Sequence, residues 1–240
     1  MRIIKAPDLA SAHEQVVRMI LEKGWIIETE DQEATVEFEE IAMRVERPTS
    51  PPMVSPCSRF QQRFMEQYAR DLIKGSDSTF EYDYHDRLFN WGEGLFREDH
   101  SDVRVDQISY ITQKIRNSPA TRRAIAITWN PASDEDLDDC PCLQLVQCLA
   151  RTGLLHMKVV FRSNDMLTAA GANMFALVSL QQEIARSLGL ECGSYTHISL
   201  VPHIYYRRDA ADIEPFCGKG EKFRPIPEVC RACGKCPPRT

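Results

Sequence analysis

At 240 residues with 43% hydrophobic content, the chain can bury one substantial core without a disulfide or metal staple, and a single catalytic domain is the expectation. A formal net charge of −6 argues against a broad surface for DNA or RNA, although a few clustered arginines can still hold one phosphate. No run approaches the roughly 18 apolar residues of a membrane span, and MRIIKAPDLASAHEQ has no apolar signal core, so a cytoplasmic protein with no membrane partner is expected.

Leu9, Ala12, Val16, Met19 and Ile20 recur at helical spacing, which predicts a helix over 9–22 that stops near Gly24 and leads into the strand WIIETE. A second extended run covers 34–46. Pro48, Pro51 and Pro52 then break regular structure, and PTSPPMVSP reads as a loop. Residues 59–74 predict a helix. The aromatic stretch FEYDYHDRLFNW beyond it reads as the lining of a cleft or as a packed strand and turn. Ile108, Ile111 and Ile115 place a helix over 105–116, closed by Ser118 and Pro119, and RRAIAITW is strongly β-prone. CLQLVQCLA and LLHMKVVF are strands separated by RTG, a hairpin. Counting back from the turn sets Cys142 and Arg162 close across the pair, with sulfur and guanidinium able to face one pocket. Apolar residues on most sides of 174–188 mark a buried helix ended by Gly189. A last strand, SYTHISLVPHIYY, directs His203 and Tyr205 to one side. No internal repeat or low-complexity tract interrupts this order.

Several residues carry possible chemistry. Cys142, in DCPC, is weak evidence alone, because a free cysteine is commonly buried packing; a cation such as Arg162 beside it favours the nucleophilic thiolate. Arg162 and Ser163 close a strand with a donor pair suited to a phosphate monoester, or with a solvated strand end. The carboxamide of Asn173 offers a ligand both a donor and an acceptor; asparagine also favours a helix N-cap. Five of the nine cysteines lie outside the tail. The other four, Cys217, Cys230, Cys233 and Cys236, give C-x2-C-x2-C-P with a fourth cysteine upstream, which suits an iron–sulfur cluster, a structural zinc or unliganded thiols. The chain therefore divides into a catalytic domain over 1–208 and a cysteine-rich tail over 209–240.

In order and interval, DCPC, FRSND, GAN and PHIYY resemble the thymidylate synthase superfamily, in the short form associated with archaeal members. The resemblance is firm over about 106–208, looser over 57–91 and absent at both ends. It implies an α+β fold, a large mixed sheet flanked by helices and a homodimer formed through the sheet face. The implied reaction is reductive methylation of dUMP to dTMP at carbon 5, with 5,10-methylene-tetrahydrofolate or a methanopterin-type relative as co-substrate. By resemblance, Cys142 adds to carbon 6 of uracil, and Arg162 and Ser163 hold the 5′-phosphate. Arg122 and Arg123 reach that phosphate from the other subunit. Asn173 reads the base, Asp165 contacts pyrimidine and pterin, and His203 and Tyr205 bind the sugar hydroxyl. Tyr84 helps remove the carbon 5 proton. Glu66, in RFMEQYARDL, is the candidate for the glutamate that organises water around the uracil carbonyl, with a solvated helix carboxylate as its alternative.

Leu143 stands where many members have histidine, and the segment that closes over the folate is replaced by the cysteine tail. A cluster there would supply electrons to the reaction and imply an electron-donor partner. Two other readings remain: a dUMP or dCMP hydroxymethylase of the same fold, in which water captures the exocyclic methylene, and a non-catalytic nucleotide-binding redox regulator.

Overall fold

The structure, a computed structural model, describes residues 1–30, 32–76, 83–92, 104–137 and 139–217. Strand β1 (Arg2–Ala6) leads into helix α1 (Leu9–Lys23), which starts where the Asp8 carboxylate accepts the Ser11 N–H at 2.8 Å. Leu9, Ala12, Val16 and Ile20 form its buried stripe. Gly24 follows for lack of space: a Cβ there would lie 2.5 Å from Val36 Cγ1 and 2.7 Å from the Glu37 carbonyl oxygen. Strands β2 (Trp25–Glu28) and β3 (Ala34–Glu37) can therefore approach the helix end closely.

Two sheets organise the rest. The larger has six strands in the order β1, β4 (Ile41–Val45), β9 (Glu191–Ser199), β7 (Leu154–Phe161), β6 (Leu143–Arg151) and β5 (Ile125–Ile127). β1–β4 and β9–β7 are parallel pairs and the others antiparallel, so the large mixed sheet expected from the sequence is present. The smaller sheet has the order β2, β3, β10 (Pro202–Ile204) and β8 (Asn164–Asp165). The extended run over 34–46 is thus two strands in different sheets, and so is SYTHISLVPHIYY. Three segments pass from one sheet to the other at the same corner: β3 to β4 over 38–40, β7 to β8 over 162–163, and β9 to β10 over 200–201. Strand periodicity continues across each crossing, which hides the break from the sequence.

The β6–β7 hairpin closes through Thr152 and Gly153, with φ of 50° and 79°, the two positive values that a two-residue type I′ turn requires. Helix α6 (Ala170–Leu188) is buried on nearly every side and forms the centre of the core. It begins four residues earlier than expected, so Asn173 lies in its first turn and is not its N-cap. Helices α1 and α6 pack on the large sheet, and α2 (Gln62–Lys74) and α4 (Gln107–Asn117) pack on α6. FEYDYHDRLFNW yields a helix, α3 (Tyr84–Phe89), capped by Asp83, and not a strand; residues 80–82 lie outside the described set. RRAIAITW is a strand only over Ile125–Ile127, and the short α5 (Pro131–Asp134) follows it. After β10, α7 (Ala210–Ile213) and a 3-10 turn over Glu214–Phe216 stay with the core: Phe216 is buried, and its carbonyl accepts from Arg18 Nε at 3.0 Å. Among the described residues, no helix is long and apolar enough to cross a membrane.

Candidate active site

The corner where strands change sheets opens into a cavity of about 750 Å³. Cys142 immediately precedes β6, and Arg162 immediately follows β7. The Arg162 N–H donates to the Cys142 carbonyl at 2.8 Å. Its side chain straps the same segment, Nε donating to the Pro141 carbonyl at 3.1 Å and Nη2 to that of Cys140 at 2.6 Å. A bulge between Leu143 and Leu145 leaves Gln144 out of register, and its Nε2 donates to Pro141 at 2.6 Å. The Leu143 N–H donates to the Tyr84 hydroxyl at 2.9 Å, which brings the first residue of α3 beside the cysteine. α3 is fixed in turn by Arg87, whose Nη2 lies 2.6 Å from Asp134 in a buried ion pair; Asp134 also accepts the Asn130 N–H at 2.8 Å. The approach to Cys142 and the helix carrying Tyr84 are therefore locked together.

The small sheet supplies the opposite wall. Ser163 Oγ lies 3.2 Å from His203 Nδ1, and the His203 and Tyr205 rings meet edge to face at 5.0 Å. The Arg208 guanidinium covers Tyr205 at 4.0 Å and donates to Asp165 at 3.2 Å. Asp165 also accepts the N–H groups of Leu167 and Thr168 at 3.0 and 3.1 Å, so its carboxylate is held firmly in place. Asn173, 7% exposed, reaches the cavity from α6 and accepts a hydrogen bond at Oδ1 from the Tyr68 hydroxyl at 2.8 Å. Behind this wall, His197 stacks on Phe161 at 4.6 Å and contacts Asn164 Oδ1 at 3.0 Å; burial lowers its pKa to about 3 and keeps it neutral.

Electrostatically the cavity is acidic, with Glu30, Glu37, Asp139 and Asp165 facing Arg162 and Arg208. Burial pushes the Cys142 thiol above its ordinary pKa. Arg162 opposes that rise, and Asp139 and Cys140 add to it.

Eight residues singled out in the sequence meet at this cavity: Cys142, Arg162, Ser163, Asp165, Asn173, His203, Tyr205 and Tyr84. Glu66 does not. It is exposed, accepts from Gln62 Nε2 at 2.8 Å and lines a separate groove between α2 and α6, because the turn of α2 points Tyr68 toward Asn173 and Glu66 away. Arg122 and Arg123 are exposed ahead of β5 and do not line the cavity; their carbonyls accept from Gln147 at 3.1 Å and Tyr110 at 2.9 Å. Cys217 is half-buried after the last turn, while Cys230, Cys233 and Cys236 lie outside the described residues. Among the described residues no group of histidine, cysteine and carboxylate side chains is arranged to hold a metal. Sequence reasoning missed Tyr68, Asp139, Cys140 and Arg208. The middle two were signalled by adjacency to Cys142, and Arg208 by following Tyr205 in the same short segment.

The family model described as thymidylate synthase matches residues 57–221, a span that includes every one of the eight converging residues. A protein of Methanocaldococcus jannaschii named "Putative thymidylate synthase" is 38% identical over 216 residues, covering 87% of this chain and 93% of that protein. One of the same name from Methanosarcina acetivorans is 33% identical over 205 residues, 85% of this chain and 89% of that one. "Thymidylate synthase 1" of Bacillus spizizenii is 33% identical over 137 residues, 57% of this chain and 47% of that protein. The match takes in all eight converging residues and six of the ten strands, and so this chain belongs to the thymidylate synthase family, as a thymidylate synthase-like enzyme of one-carbon transfer.

Proposed function

We propose that the chain catalyses reductive methylation of dUMP to dTMP, taking both the one-carbon unit and the hydride from a methylene-tetrahydropterin, either tetrahydrofolate or a methanopterin-type relative. The observation that carries this reading is the convergence of Cys142, Arg162, Ser163, Asn173, His203 and Tyr205 on one cavity, of a size suited to a nucleotide and a pterin ring together. Cys142 Sγ adds to carbon 6 of uracil, and the electron pair moves to carbon 5, leaving an enolate at carbon 4 whose oxygen the Asn173 amide can meet. Carbon 5 then attacks the methylene carbon of the pterin. Its proton leaves toward the Tyr84 hydroxyl, which the Leu143 N–H holds beside the nucleophile. Elimination of the pterin nitrogen from the methylene carbon gives an exocyclic methylene with the Cys142 sulfur still on carbon 6; hydride from the tetrahydropterin so released completes the methyl group as the sulfur leaves carbon 6, and dihydropterin is the second product.

Arg162 and Ser163 bind the 5′-phosphate, His203 and Tyr205 the sugar, and Asp165 the pterin. Because the cavity's own balance is acidic, a dianionic phosphate gains from further cations, the role we assign to Arg122 and Arg123 of a partner subunit in a homodimer. The tail cysteines Cys217, Cys230, Cys233 and Cys236 are proposed, on their spacing alone, as a four-thiolate site for an iron–sulfur cluster or zinc, which metal analysis of the purified chain answers.

The test is tritium release from carbon-5-labelled dUMP, with and without methylene-tetrahydrofolate, comparing wild type with Cys142→Ser and weighing the product by mass. Release that depends on Cys142 and yields dTMP is expected. A 5-hydroxymethyl product would make water the final acceptor and the enzyme a hydroxymethylase. Absence of release with either pterin, under anaerobic and metal-replete conditions, would leave a nucleotide-binding protein.

A further inference from the structure

The resemblance raised the expectation of a carboxylate from α2 near the base reader, and the structure puts a phenol there. The Tyr68 hydroxyl donates to Asn173 Oδ1 at 2.8 Å, joining α2 to the first turn of α6. Asn173 borders the cavity, whereas Tyr68 stands behind it and is not part of the cavity wall. An amide oxygen engaged in this way keeps one lone pair for a ligand, and Nδ2 offers two N–H donors beside it. Reversal of the amide would require the phenol to accept in place of donating. A phenol oxygen is a poor acceptor, because its lone pair is delocalised into the ring, so reversal exchanges a good hydrogen bond for a weak one. Donation into Oδ1 also polarises the amide and strengthens Nδ2 as a donor.

We infer that Tyr68 is a positioning residue that sets the base preference of this site, holding Asn173 in the orientation that donates to a pyrimidine carbonyl and opposing the one that would accept from an exocyclic amino group. The inference rests on the reading of Asn173 as the residue that meets the base. It assigns to Tyr68, and not to Glu66, the part that α2 plays in recognition, and it explains how an amide able to present either face could favour uracil.

Calorimetric titration of dUMP and of dCMP into the purified protein tests this, with Tyr68→Phe removing only the hydroxyl and Tyr68→Met as a second hydroxyl-free variant. The preference for dUMP over dCMP is expected to fall about five- to tenfold, the equivalent of one net hydrogen bond. In an Asn173→Ala background the same substitution is expected to change the preference by less than about twofold, since Tyr68 acts through Asn173. Equal weakening of both nucleotides, or an unchanged preference, gives Tyr68 a packing role only and overturns the inference. A wild-type protein that binds neither nucleotide, or both alike, fails at the control titration; it removes the base reader, and the inference with it, separately from any result on Tyr68.

Discussion

Arg162 makes two demands on one guanidinium: it straps the carbonyls of Cys140 and Pro141, and its charge opposes the rise that burial imposes on the Cys142 thiol. An acid whose pKa is raised stays neutral over a wider range, so at a given pH the Cys142 thiolate fraction is smaller than that of a free cysteine and grows as pH climbs through the raised value. Alkylation of Cys142 by iodoacetamide, followed by mass spectrometry, is therefore expected to rise with pH along a curve displaced to the alkaline side of a free thiol. Arg162→Ala removes the opposing charge and should slow the reaction severalfold at about pH 8; an unchanged rate would mean that the strap, and not the charge, is what matters. Most residues legible in the chain lie at strand ends, where order and interval fix their company; Asn173 and Tyr84, on helices, were legible through the family resemblance alone. Tyr68 was not, because on a helix of 3.6 residues per turn a two-residue step turns a side chain about 200° and carries it across the buried stripe to the other edge. Phase alone does not choose between them: Met65, Ala69, Leu72 and Ile73 form the buried stripe of α2, and Glu66 and Tyr68 flank it on opposite edges, so the pattern leaves open which edge meets the first turn of α6.

Short elements carry unusual responsibility in this fold. α3 and α5 together span few residues, yet the Arg87–Asp134 pair between them fixes Tyr84 on one side and the chain leading to Cys142 on the other. Removing one partner leaves the other charge buried, and Arg87→Ala is expected to lower stability by about 3–5 kcal/mol, read from denaturant midpoints. A loss below about 1 kcal/mol would show that water reaches Asp134 and that the pair is no clamp. The β6–β7 hairpin was readable because three residues with one glycine leave few ways to turn. The divided strands were not, since both halves of each are extended and apolar and only their pairing partners differ. α3 escaped notice for a related reason: aromatic residues suit strands, and the capping Asp83 is a single-residue cue within a β-prone run.

For the molecule as a whole, the proposed homodimer, with the exposed Arg122 and Arg123 acting across it, has a direct test. Mixing Cys142→Ser with an Arg122→Ala/Arg123→Ala variant, each nearly inactive alone, is expected to restore about a quarter of the wild-type sites after subunit exchange, because half of the dimers then hold one intact cavity. Recovery no greater than the sum of the two parents would show that those arginines do not act across the subunit boundary. The corner itself has a mechanical consequence. Three strands bend there from one sheet into the other, with Cys142 riding on the larger sheet and His203 on the smaller. Any splay between the sheets alters the gap between the Cys142 sulfur and the His203 ring. A molecule seated across that gap acts as a brace, and the stiffness it meets is set by bends at 38–40 and 200–201, outside the wall it touches.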